Sequence, residues 1–173
     1  MQKIKILNNK EIKEILNLIE KQWDAKLNLD YVFLKTEKEK IYIVNKDISK
    51  VDLGKLRINT IGLYFAEVKD NNIRLSIEGS QIIGPKAKKN VLELNEKEVK
   101  EWMRGNDLER LSFHQPQDGG KTNLEKMREH FDKETNLSGF LIIKDKDDYL
   151  GCGKRRDGEV LNFIGKARRI NPF

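Results

Sequence analysis

The sequence predicts an α+β chain in which a small unit with a helix on an antiparallel sheet precedes a second, mixed β unit. Three features point there. Capping-box pairs mark helix starts, short β-branched and aromatic runs come in pairs around turn residues, and the C-terminal part is β-rich with a two-residue turn signal. With 173 residues, 38% hydrophobic and 36% charged, the chain is long enough to bury a core. Its apolar residues recur in patterned bursts that disordered chains lack.

The first helix begins near Asn8, with Glu11 in capping-box position, and carries Ile12, Ile15, Leu16, Ile19 and Trp23 on one face. Tyr31 to Leu34 and Ile41 to Val44 read as strands, joined as a hairpin through the polar run from Thr36 to Lys40. A second pair, Thr60 to Val68 and Ile73 to Ile77, flanks Asp70, Asn71 and Asn72, which tolerate the left-handed conformations of tight turns. After Gly79 a short apolar step, Gln81 to Ile83, leads into Gly84, Pro85 and the basic residues Lys86, Lys88 and Lys89. A boundary here divides the chain into domains 1–87 and 88–173. Beyond it Val91 to Leu94 is a strand, and Asn95 with Glu98 opens a helix bearing Val99, Trp102 and Met103 that stops at Gly105. Thr122 with Glu125 opens a further helix that ends near Asn136. The tail is β: Phe140 to Ile143, Tyr149 to Arg155, an Asp157-Gly158 turn and Val160 to Ile164.

Several chemistries are excluded by residue type and spacing. No apolar run approaches the roughly 18 to 20 residues of a membrane span, and the N-terminal stretch lacks the apolar core of a signal peptide, so a cytoplasmic protein without membrane contact is expected. The single cysteine, Cys152, with only His114 and His130 beside it, cannot assemble a zinc site of the usual spacing, so no metal is expected. The string Leu150-Gly151-Cys152-Gly153-Lys154 is not a P-loop: its glycines are too close, Arg155 follows the lysine, and the next signal is a hairpin turn. Glycines at alternate strand positions instead mark a bend or the close approach of another backbone. Cys152, two residues from Lys154, is the one candidate nucleophile, weighed against a buried inert thiol. No acid/base dyad stands out, and neither a catalytic residue nor a cofactor is assigned.

Charge points elsewhere. The net charge of +6 suits a polyanionic partner, and residues 151–173 hold Lys154, Arg155, Arg156, Lys166, Arg168 and Arg169 against only Asp157 and Glu159. The Asp157-Gly158 turn is expected to fold both cationic clusters onto one rim of the sheet, with Asn162 and Phe163 interleaved among them as contacts to bases or sugars require. Arginine offers a planar fork to phosphate oxygens, and clustered cations gain affinity by releasing condensed counterions. Lys86, Lys88 and Lys89 add a second basic segment.

The block Leu150-Gly151-Cys152-Gly153-Lys154, then Gly158, Val160-Leu161-Asn162, Gly165-Lys166 and Arg168-Arg169, resembles the closing motif of the PUA-like RNA-binding domain that ends Sun-type RNA cytosine-C5 methyltransferases. Gly165 stands where that motif has proline. Upstream, Ile73-Arg74-Leu75-Ser76, the step from Gly84 to Lys88, and Trp102-Met103-Arg104-Gly105-Asn106 resemble PUA proteins of ribosome biogenesis that act in large-subunit maturation and carry a small α/β domain before the PUA domain. The resemblance implies a mixed β pseudo-barrel for the second domain and RNA contacts at Lys154, Asn162, Lys166, Arg168 and Arg169, to which Arg155 and Arg156 are added by charge. The chain has neither a glycine-rich S-adenosylmethionine loop nor a proline-cysteine nucleophile, so the resemblance implies a binding module without the methyltransferase.

The expected function is therefore non-catalytic binding of structured rRNA or tRNA, in ribosome biogenesis or as recognition module for an RNA-modifying enzyme, with that enzyme or a pre-ribosomal particle as partner. Two alternatives come from other classes. One is an RNA-modifying enzyme or subunit with Cys152 near its site. The other is a protein-interaction module docking through the helices at 95–105 and 122–136, with Trp102 and Met103 in the docking face.

Overall fold

The computed structural model describes residues 4–50, 61–109, 137–157 and 159–170. The helix expected from Thr122, both histidines and Gly158 lie outside the described residues. Among the described residues, no helix is long and apolar enough to cross a membrane.

The first unit is built as its pattern requires. After a short strand β1 (Ile4–Ile6), the side chain of Asn8 accepts from the N–H groups of Lys10 and Glu11, and Glu11 in return accepts from Asn8 N–H at 3.0 Å. These bonds satisfy donors that the helix leaves without internal partners and start α1 (Asn9–Trp23). Ile15, Ile19 and Trp23 are buried along its inner face. Four further strands, β2 (Val32–Thr36), β3 (Lys40–Val44), β4 (Leu63–Lys69) and β5 (Asn72–Leu75), complete an antiparallel sheet in the order β1-β2-β3-β4-β5. The β4–β5 turn has Asp70 and Asn71 both at positive φ, +50° and +57°, the mirror-image turn that matches strand twist.

Side-chain alternation gives this sheet two different faces. Phe33, Ile41, Ile43, Phe65, Ala66 and Ile73 join α1 in one buried cluster. On the other face Lys40, Glu67 and Arg74 form a row across three strands, and Tyr42 pairs with Tyr64. Between these two registers the pairing shifts, leaving Phe65 as the extra residue of a bulge.

One sequence expectation needs correction. The strand expected to run to Ile77, and the apolar step expected at Gln81 to Ile83, are replaced by a helix, α2 (Ile77–Ile83). Ser76 caps it, its Oγ accepting from Gly79 N–H at 2.9 Å, while Ser80 Oγ donates to Ser76 O at 2.8 Å. The β-branched Ile77, Ile82 and Ile83 favour strand reading, but the serine cap and the burial of Ile83 prevail. Gly79 serves close packing here, since a Cβ would lie 2.1 Å from the backbone oxygen of Phe65.

The second sheet comprises β6 (Val91–Glu93), β7 (Leu108–Glu109), β8 (Phe140–Asp145), β9 (Asp148–Arg156) and β10 (Glu159–Asn162), in the order β6-β8-β9-β10-β7. It is mixed, because β6 runs parallel to β8 while the other pairs are antiparallel. Between β6 and β7 lies α3 (Glu96–Arg104), opened by the Asn95–Glu98 capping box and closed by Gly105 in the left-handed conformation. Trp102 from α3 is fully buried and donates its indole N–H to Leu150 O at 3.2 Å, so it belongs to the core and cannot form a docking face. Gly153 gives it room: a Cβ there would meet Val160 at 2.7 Å and Trp102 at 3.0 Å.

The two sheets share a core. Leu141 and Ile143 of β8 face Trp102, Leu92 and Val160, whereas Ile142 and its cross-strand partner Cys152 join the cluster that holds Ile73, Ile83 and α1. One sheet is drawn from residues before position 87 and the other from residues after it, and apolar packing crosses that position. The architecture is α+β with two five-stranded sheets and three short helices among the described residues.

Two stability outcomes follow from the glycines. Helix propensity alone favours Gly79→Ala by about 1 kcal/mol. The contact with Phe65 reverses the sign, and a loss of about 1–3 kcal/mol is expected in urea unfolding. Gly165, where the resembling motif has proline, adopts φ −60° and ψ 143°, which proline also adopts, with open space around it. Gly165→Pro is expected to raise stability by about 0.4–1 kcal/mol in the same assay.

Candidate nucleic-acid interface

The cations of the C-terminal strands do not share a single rim, and the alternation of β9 is the reason. Phe140 and Leu161 flank Lys154 across the sheet, which puts Lys154 on the side of Ile142 and Cys152. Its ammonium lies 5.4 Å from the centroid of the Phe140 ring. Arg155 pairs with Val160, a residue of the second core cluster, and so takes the opposite side, where its guanidinium donates to Leu137 O. Arg156 returns to the side of Lys154, exposed beside Asp157 with Nε 3.3 Å from a carboxylate oxygen.

Two of the expected contact residues are committed to the fold. Asn162 donates from Nδ2 to the carbonyls of Trp102 (2.8 Å) and Asn106 (3.0 Å), and its Oδ1 accepts from Ile164 N–H at 2.7 Å. Its amide therefore ties β10 to the end of α3. Arg169 donates from Nε to Ile164 O at 3.1 Å and lies against Gly105, where a Cβ would be 2.3 Å from that nitrogen. A cation at this helix C-terminus is favoured by the helix dipole. Lys166 is exposed in a 3₁₀ turn, Lys166–Arg168, and Arg168 pairs with Glu78 of α2. Lys86, Lys88 and Lys89 are exposed near the end of α1, where the N–H groups of Lys88 and Lys89 both donate to Trp23 O. They line neither of the two cavities described next.

Where the sheets meet, the structure opens a groove that combines residues from both. It consists of cavities of about 300 and 410 Å³ that share Glu67, Arg74 and Phe163 on their walls. Three cations lie over three aromatic rings along it. Lys154 covers Phe140, the Arg74 guanidinium sits 4.6 Å from the Phe163 centroid, and Lys40 lies 5.4 Å from that of Tyr64. The rings also approach one another, Phe140 to Phe163 at 6.0 Å and Tyr42 to Tyr64 at 5.4 Å. Each cation–ring contact is worth about 0.5–1 kcal/mol at an exposed site and holds the charge at a fixed position.

The groove carries an excess of positive charge. Its walls have the cations Lys40, Lys69, Arg74, Lys154 and Arg168 against the carboxylates of Glu67, Asp70 and Glu78. Glu67 holds Arg74 at 2.7 Å and Glu78 holds Arg168, whereas Lys40, Lys69 and Lys154 form no ion pair among the described residues. Burial pushes the Tyr64 phenol up, so it stays a neutral hydroxyl at ordinary pH. Of this groove the charge census of the C-terminal strands reaches only Lys154, Phe163 and Arg168. Lys40, Tyr64 and Arg74 come from the first sheet; Arg74 lies between the buried Ile73 and Leu75 and so reads as outward from strand alternation, whereas Lys40 and Tyr64 each have one buried neighbour, Ile41 and Phe65.

Cys152 has the environment of an inert thiol. It is 3% exposed, and burial pushes its pKa up from 9.0 to about 12, against the opposing influence of a Leu75 backbone hydrogen bond and of Arg74. Among the described residues, no group of three His, Cys, Asp or Glu side chains converges to hold a metal ion.

Compared with known proteins, the chain matches no family profile and no curated sequence.

Cys152 offers a direct check of the core that floors the groove. Alkylation of the native protein by iodoacetamide is expected to be far slower than that of the urea-unfolded chain, with mass spectrometry reading the adduct. Because the folded pKa is raised, the unfolded thiol ionises first, so stability is expected to fall as pH rises from about 9 toward 12. Native alkylation as fast as that of a free thiol contradicts the buried placement.

Proposed function

We propose that the chain is a non-catalytic RNA-binding protein whose contact surface is the groove between its two sheets together with the neighbouring exposed lysines. The observation that carries this reading is the alignment of three cation-over-ring pairs, Lys40–Tyr64, Arg74–Phe163 and Lys154–Phe140, in one groove. Cations attract the phosphate backbone and fix register, while aromatic faces accept unstacked bases or sugars, and a surface with both side by side serves both contacts. Neither a basic patch alone nor an aromatic patch alone gives that combination.

The finer reading is a PUA-like domain that binds structured rRNA or tRNA, in ribosome biogenesis or as the recognition module of a modifying enzyme. It is supported by the mixed second sheet and by Gly165, which stands where the resembling motif has proline and whose φ of −60° a proline can also adopt. The buried, protonated Cys152 speaks against an enzyme built on that residue.

Salt dependence tests the reading. Each phosphate contact contributes a slope of about 0.7 to 0.9 in log affinity against log salt, so Lys40→Ala, Lys154→Ala and Lys166→Ala together are expected to flatten the slope for tRNA or an rRNA fragment by about two to three. A slope unchanged in this triple variant, with folding preserved by circular dichroism, overturns the proposed surface.

A further inference from the structure

We infer that the groove takes an unpaired segment of RNA, bases splayed, and that the N-terminal sheet supplies half of that site. The inference rests on the reading that the chain binds RNA and narrows it to the single-stranded element of the ligand. A duplex keeps its bases stacked inside and offers a protein mainly phosphates, hydroxyls and groove shape. Aromatic side chains among cations are of little use to such a ligand. They serve a strand whose bases are unstacked and can lie against a ring or against the flat face of a guanidinium.

The arrangement in this protein has that character. The centre of the Arg74 guanidinium lies over Phe163, 4.6 Å from the ring centroid, and Glu67 accepts from it at 2.7 Å. The guanidinium, planar by its own bonding, is thus held beside Phe163 on the groove wall. Phe163 is 37% exposed, whereas Phe33 and Phe65 are fully buried in the core. Tyr64 offers a second ring with a neutral hydroxyl that can donate to a base or phosphate oxygen. Lys40 and Lys154 border the two rings and Phe140, which places a charge for the backbone next to each base platform.

The division of labour between the sheets gives the N-terminal unit a role. Lys40, Tyr64 and Arg74 belong to β3, β4 and β5, and Lys154 and Phe163 belong to β9 and the segment after β10. Lys40 and Tyr64 pair within the first sheet and Lys154 and Phe140 within the second, and Arg74 with Phe163 joins the two across the groove. The adjoining cavities of about 300 and 410 Å³ fall at the lower end of the roughly 300–1,000 Å³ typical of small-ligand sites, the scale of individual nucleotides in a row rather than of a helix.

The test uses the whole chain and three probes: a short fluorescein-labelled single-stranded RNA of mixed sequence, the blunt duplex of the same sequence, and free AMP as competitor. The single strand is expected to bind about tenfold or more tightly than the duplex, and AMP to compete only weakly. Phe163→Leu and Tyr64→Leu keep apolar bulk without a ring, and each is expected to weaken single-strand binding by roughly five- to 150-fold while leaving duplex binding nearly unchanged. On the unaltered protein, a 4-thiouridine-substituted strand is expected to crosslink to peptides containing Tyr64, Phe140 or Phe163, a readout independent of how the variants fold. Duplex bound as tightly as single strand, affinity unchanged in both variants, crosslinks confined to Lys86–Lys89, or AMP displacing the strand at equal concentration each overturns the single-strand inference, although the chain then still binds RNA. Binding to neither RNA overturns the RNA-binding reading beneath it.

Discussion

The structure depends on the burial of the β8–β9 hairpin between two apolar clusters. Leu141 and Ile143 turn toward Trp102 and Val160, and Ile142 with Cys152 turns toward Ile73 and Ile83. Each of these β8 side chains is fully buried, worth about 1.5–3 kcal/mol of transfer free energy apiece, an upper estimate because the unfolded chain hides some of the same surface. The consequence is geometric as much as energetic. Because the hairpin packs on both sides, β8 and β9 are held beside β5 of the first sheet, and Phe163, just after β10, arrives over Arg74.

Close packing around glycines fixes this junction. Gly79 lets α2 lie on β4, Gly84 accepts the Tyr149 ring, where a Cβ would be 2.2 Å from a ring carbon, and Gly153 makes room for Trp102. Such contacts allow little sliding, since an interior at crystal-like density has few alternative arrangements. The cations and rings of the groove therefore stand in place before any ligand arrives, and less ordering entropy is lost on binding.

Much of the fold was legible along the chain, because local signals and tertiary demands agree there. The Asn8–Glu11 and Asn95–Glu98 capping boxes, the left-handed Gly105, and the Asp70-Asn71 turn all form as their chemistry prescribes. Helix α2 was not legible, since its isoleucines favour strand and its Gly79 is demanded by a contact with Phe65, which lies on another element, β4, beyond the reach of a local reading. The site was half legible. Charge counting found Lys154, Lys166 and Arg168, but it cannot know that Asn162 is spent on the distant end of α3, or that Arg169 is tied to Ile164 O and laid against Gly105. Arg74, Tyr64 and Lys40 each look ordinary in their own strand and gain meaning only when the second sheet brings Phe163 to them.

Aromatic-selective NMR on the full chain, titrated with single-stranded RNA, observes the groove itself. The ring resonances of Tyr64, Phe140 and Phe163 and the Arg74 Nε–H signal are predicted to shift together and saturably, while those of the buried Phe33 and Phe65 stay in place. Saturable RNA binding that leaves the groove signals unmoved and shifts only residues near Lys86 and Lys88 would contradict it.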